Sequence, residues 1–186
     1  MAYRIAHQVR FDDRGRLFSE QRLLIPSIDL PHDLTLDAFL TEQLNRDYFA
    51  NVNRLTLSLY HPIVDDQQIR IRMPQLGTIL MFGNKQVIVN ADRAEIAWSI
   101  LGGAMLARQV EKGGRLIIGA EWYNRPTDQL TLYTRVEDYT SRIIGMFGPR
   151  IGIFIYRLTQ GVSHKFITHR FLRNEAKRLS AQLKRR

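Results

Sequence analysis

The chain has no cysteine among its 186 residues, which excludes a disulfide framework, a thiolate metal site and a cysteine nucleophile. Long apolar runs are also missing. Stretches such as Ile79-Leu80-Met81-Phe82 fall far short of the ~20 residues that span a bilayer. Met1-Ala-Tyr-Arg leads directly into an alternating segment, without the apolar core of a signal peptide. A cytoplasmic, soluble protein is expected. No phosphate loop of the G-x-x-x-x-G-K-S/T or G-x-G-x-x-G type occurs, and there is no G-x-S-x-G elbow. The sequence therefore presents no catalytic motif and calls for no cofactor.

Acidic residues are scarce in one place. From Arg157 to Arg186 nine cations face a single acid, Glu175, so this segment holds +8 of the net charge of +9. The rest is a near-neutral body. An anionic partner is thereby confined to the C-terminal element. With 45% hydrophobic and 24% charged residues, the composition is that of one ordinary globular domain, residues 1–186.

Residues 3–11 alternate, with Tyr3, Ile5, His7, Val9 and Phe11 on one side, the period of a half-buried strand. Asp12-Asp13-Arg14-Gly15 reads as a turn, and Leu17–Ile25 as a second strand closed by Pro26. A helix is expected over about 35–48 from the spacing of Leu36, Phe39, Leu40, Leu44 and Tyr48, capped by Thr35 or Asp33. Short strands follow from Val52 to about Tyr139. Leu55, Leu57 and Leu59 form one alternating set, Gly83-Asn84 reads as a turn, and Asn124–Asp128 reads as a hairpin connection. A long helix is expected from about Pro149. Its stripe of Phe154, Leu158, Val162, His169, Leu172, Ala176, Leu179 and Leu183 steps by threes and fours, once by seven across Lys165. Ile153, Ile167 and Phe171 make its first half apolar nearly all round, so that half is expected to be buried.

These elements predict an α+β fold: a curved antiparallel sheet of about seven to nine strands packed around a long C-terminal helix. The element order, over most of the chain, resembles the helix-grip folds. That resemblance implies a cavity for an apolar ligand between sheet and helix.

Four residues are candidates for lining such a cavity. His169 sits on the apolar stripe with Lys165 one turn earlier, a pair able either to fix a ligand's head group or to find ordinary core and surface partners. Trp98 and Trp122 are in phase with the apolar faces of their strands, as pocket walls or as plain core. His164 and His169, five residues apart, lie about 140° apart on a helix and cannot share one ion as an i, i+4 pair would. No metal site is expected. The paired acids Asp12-Asp13, Asp65-Asp66 and Glu137-Asp138 read as solvated.

The leading expectation is a non-enzymatic protein holding an apolar small molecule or lipid. The alternative is a module binding nucleic acid or an anionic membrane surface. Residues 173–186, the basic amphipathic end of the last helix, would act there through Arg173, Lys177, Arg178, Lys184, Arg185 and Arg186. An oligomeric or structural role stays open.

Overall fold

The computed structural model describes residues 3–30, 34–65, 67–106, 114–123, 129–156 and 162–183. One open antiparallel sheet holds eight strands: β1 (Ile5–Phe11), β2 (Leu17–Pro26), β3 (His61–Val64), β4 (Ile69–Met73), β5 (Gly77–Val89), β6 (Arg93–Gly102), β7 (Arg115–Tyr123) and β8 (Gln129–Tyr139). Their spatial order is β1-β2-β8-β7-β6-β5-β4-β3. Three helices complete the fold: α1 (Ala38–Leu55), α2 (Arg142–Tyr156) and α3 (Val162–Leu183). This is the α+β arrangement expected, a broad antiparallel sheet with a long C-terminal helix.

The first turn forms as its residues dictate. Gly15 takes a positive φ of 74°, and the Asp12 carboxylate accepts from the Arg14 and Arg16 amides at 3.0 and 2.8 Å. α1 starts later and runs longer than expected. Asp37 caps it by accepting from the Leu40 amide at 2.7 Å, while Asp33 lies outside the described residues. The apolar ridge of Leu40, Leu44 and Tyr48 continues through Val52, so Leu55 closes a helix instead of opening a strand. Leu57 and Ser58 then turn back in the left-handed region, at φ 50° and 61°. Helical periodicity sustained over four turns prevails over three alternating leucines. The edge strand β3 begins only at His61.

Gly83-Asn84 also departs from expectation. β5 runs through it as one strand, and the slip is absorbed by a bulge opposite β6, where pairing shifts between Gly83 and Gln86. β7 and β8 pair antiparallel, and their connection at Asn124–Asp128 lies outside the described residues.

The core lies between the sheet and two helices. α1 packs over β3, β5, β6 and β7, while α3 packs over β2 and β8 and against α1. Ile96, Trp98, Leu116, Ile118, Leu130 and Leu132 supply the sheet side, with Phe171, Leu172, Ala176 and Leu179 from α3. The opposite face of the sheet carries alternating charges. Arg135 Nε donates to Glu20 at 2.7 Å, and Arg115 and Arg135 both reach Glu137, at 2.7 and 3.2 Å. Between them Tyr133 packs on Gly119 and donates to Glu95 at 2.6 Å. These arginines are matched by acids, which accounts for the near-neutral body.

The C-terminal helical region is not a single helix from Pro149. α2 begins at Arg142, with the Ile143 amide donating to Ser141 Oγ at 3.3 Å, and Pro149 falls inside it. A Cβ on Gly152 would stand 2.5 Å from Ile144 Cα. In a straight helix those residues are about 12 Å apart, so α2 bends sharply between Ile144 and Gly152. This half is buried only in part: Ile144, Ile167 and Phe171 lie in the core, whereas Met146, Phe147, Ile151 and Phe154 on α2 are 52–64% exposed, and Val162 and Phe166 on α3 are 58% and 59% exposed.

Candidate functional site

An apolar cavity of about 130 Å³ lies between the sheet, α1 and the first turns of α3. Tyr48, Phe49 and Val52 of α1 form one wall. These residues sit there because the α1 ridge faces the sheet. Edge-on ring contacts hold that wall together: Tyr48 to Phe49 at 5.2 Å, Tyr48 to Phe171 at 5.4 Å and Phe49 to Phe82 at 5.9 Å between centroids. The floor comes from Ile71, Phe82, Ile100, Leu116 and Val136, on successive strands β4 to β8. Tyr139, whose hydroxyl donates to the Met105 carbonyl at 2.9 Å, and Met105 itself close one end. His164 and Ile167 of α3 complete the lining.

His164 is the polar feature of this cavity. Its Nε2 is closed to solvent and has no hydrogen-bond partner among the described residues. Burial, and then the nearby His7 and His169, push its pKa down to about 4, so the imidazole is neutral at pH 7. Tyr48 is pushed up to about 12 by its burial and keeps its proton.

A polar seam continues from His164 under α3. His7 on β1 stands opposite Gln21 on β2, and Gln21 opposite Thr134 on β8, so the three share one face of the sheet. The amide oxygen and nitrogen of Gln21, Thr134 Oγ1 and His169 Nε2 are buried without partners among the described residues. His169 meets His7 edge-on, 6.1 Å between ring centroids. Burial and then Lys165 lower the pKa of both His7 and His169. Buried polar atoms ordinarily find partners. A run of orphans beside a cavity is where a water or a ligand's polar group completes the bonding. Among the described residues no three His, Asp or Glu side chains are disposed to hold a metal.

None of the four cavity candidates named from the sequence lines this cavity. Trp98 is 1% exposed and its indole donates to Asn45 Oδ1 at 2.9 Å, pinning β6 to α1. Trp122, opposite Leu130 in the β7–β8 pair, packs against the core. Lys165 points to solvent, and His169 belongs to the seam. Among the histidines, His164 lines this cavity. The buried stripe of α3 runs Ile167, Thr168, Phe171, Leu172, Glu175, Ala176, Leu179, and stepping back by threes from it reaches His164. Of the expected stripe, Leu172, Ala176 and Leu179 are buried, whereas Val162 is exposed and His169 half-buried.

The basic end of α3 is only partly free. Arg178 is committed to Glu175, 2.8 Å from Nε, with Asp47 at 4.0 Å. Burial, acting before Asp47, raises the Glu175 carboxyl while Arg178 lowers it, for a net rise. Arg173 and Lys177 are exposed. Lys184, Arg185 and Arg186 lie outside the described residues.

No protein-family model matches the chain, and no curated protein matches it. Among solved structures, the crystal structure of CalU16 from Micromonospora echinospora aligns over 97% of this chain and 98% of that one, at 11% identity and a TM-score of 0.29. The solution structure of CalU16 aligns over 74% of this chain and 62% of that one, at 12% identity and a TM-score of 0.28. Likeness at this level carries no inference about function.

Proposed function

We propose that the protein is a non-enzymatic binder of a small, largely apolar molecule carrying one hydrogen-bonding group. The observation that supports this is an apolar cavity with one imidazole nitrogen in its wall that has no hydrogen-bond partner among the described residues. The volume limits the ligand. A cavity of about 150 Å³ lined by aliphatic and aromatic side chains takes up benzene, so about 130 Å³ suits a single ring or a short aliphatic chain. A whole lipid requires the walls to part. The neutral His164 either accepts from a ligand hydroxyl or donates to a carbonyl, depending on its tautomer.

Native mass spectrometry of the purified protein, followed by solvent extraction, tests the reading directly. Titration with toluene and phenol adds the polar comparison. A co-purifying apolar species is expected, with phenol binding more tightly than toluene and the preference lost in His164→Leu. No extractable ligand, together with no uptake of either probe, would refute it.

A further inference from the structure

We propose that the outer surface of α2 and the first turns of α3 docks on an anionic lipid bilayer. Three features of this surface converge. The first is exposed apolar side chains where burial was expected: Met146, Phe147, Ile151 and Phe154, then Val162 and Phe166. However the chain runs between them, the end of α2 at Tyr156 and the start of α3 at Val162 stand within about 20 Å of each other. The second is that, among the described residues, α2 buries only part of its apolar surface against the body. Its ties among the described residues include the Arg142 amide to the Met105 carbonyl at 2.8 Å, with Ile144 in the core and Ile153 beside it.

The third is charge. From Thr140 to Asn174 the chain contains no acidic residue and six cations: Arg142, Arg150, Arg157, Lys165, Arg170 and Arg173. On α3, Val162, Phe166, Arg170, Arg173 and Lys177 fall at positions i, i+4, i+8, i+11 and i+15, and all five are exposed. One outer face thus passes from apolar to cationic along the helix axis.

Each feature discriminates between occupants. Nucleic acid phosphates are met by cations and polar groups, and leave six bare apolar side chains in water. A second copy of the chain would set one cationic, acid-free face against another. An anionic bilayer matches both halves: phenylalanine and aliphatic side chains enter the headgroup boundary while lysine and arginine meet the lipid charge. This surface differs from the extreme C-terminus, since it is centred on α2 and the start of α3. It also uses other residues than the ligand cavity, to which α3 contributes His164 and Ile167.

Flotation of the full chain with phosphatidylcholine vesicles, with and without phosphatidylserine, tests the proposal. Variants Phe154→Glu and Phe166→Glu probe insertion, Arg170→Glu with Arg173→Glu probes charge, and circular dichroism confirms folding. Binding to the anionic vesicles is expected, with roughly tenfold or greater loss for each glutamate at a phenylalanine and for the charge pair. Binding insensitive to the phenylalanine changes, equal binding to RNA of matched charge, or dimers that dissociate in Phe154→Glu would each overturn it. So would failure of the wild-type chain to float. A cavity-blocked variant that still floats separates this surface from the ligand reading.

Discussion

Replacing His164 by leucine should make the protein more stable, and increasingly so as the pH falls. The wild-type imidazole has a reference pKa of 6.5 that is lowered to about 4 in the fold. Unfolded chains therefore take up a proton between those values while folded chains do not, and stability falls as the pH drops through that window. The separation corresponds to at most about 3 kcal/mol, reached near pH 4. At pH 7 the group is neutral in both states. There the gain comes from removing a buried, unpaired nitrogen, roughly 1–3 kcal/mol less what the leucine loses in fit.

Other groups titrate in the same range. His7 and His169 are lowered and share the sign of His164, whereas Glu175 is raised and opposes them. Tyr48 on α1, pushed up to about 12, keeps its proton throughout this range. The informative quantity is thus the difference between wild type and variant at each pH. Urea unfolding followed by tryptophan emission from pH 4 to 8 measures it. The two curves should diverge below pH 6.5 and run parallel again near pH 4. In thermal melts each kcal/mol should appear as about 2–4 °C for a chain of this size. Curves that stay parallel from pH 8 to 4 would mean that His164 is solvated or hydrogen-bonded, and the polar end of the cavity would be lost.

Three further changes test other parts of the structure. Trp98→Phe keeps the ring in the core but strands Asn45 Oδ1, and should cost about 1–3 kcal/mol in urea titrations. Arg178→Ala leaves Glu175, 3% exposed, without its partner. It should destabilise by about 3 kcal/mol at pH 7, with recovery as the pH falls and the carboxyl protonates. Gly119→Ala would put a Cβ 2.7 Å from Glu95 Cβ and 2.8 Å from the Tyr133 hydroxyl. A drop of several degrees in Tm is expected, and an unchanged melt would disprove the packing of Tyr133 on that glycine.

The strands were legible because their faces differ. β1, β6, β7 and β8 alternate between an apolar core side and a charged or polar outer side, and period two places such segments unambiguously. Leu55, Leu57 and Leu59 alternate as well, but α1 already had its ridge of Leu40, Leu44, Tyr48 and Val52, and the cost of ending a packed helix early outweighed three leucines. The bulge at Gly83-Asn84 leaves no period of its own, so a turn and a slip in pairing look alike in sequence. α2 was misread for another reason. Periodicity reports which side chains are apolar and does not report whether anything covers them. Phe154 and Val162 fit a buried stripe by composition and stand in solvent. His164 was missed because Gln160 and Gly161, one turn before it in the sequence, continue no apolar stripe that would mark it as inward.

Why a cavity arises at all follows from the dimensions of the layers. Eight strands about 4.8 Å apart make a sheet about 34 Å across. α1 and α3, about 10 Å wide each and side by side, cover about 20 Å of it. α1 lies over β5, β6 and β7 and α3 over β2 and β8, so the middle of that face is roofed where the two helices meet. Tyr48, Phe49 and Phe171 fill part of that junction, and the residue is the void beside Ile100, Leu116 and Val136. A void of this origin would exist with or without a ligand. What distinguishes a binding site from unfilled space is its polar chemistry. On the reasoning above a leucine at position 164 should favour folding, and the chain instead carries a neutral imidazole whose inner nitrogen has no partner among the described residues.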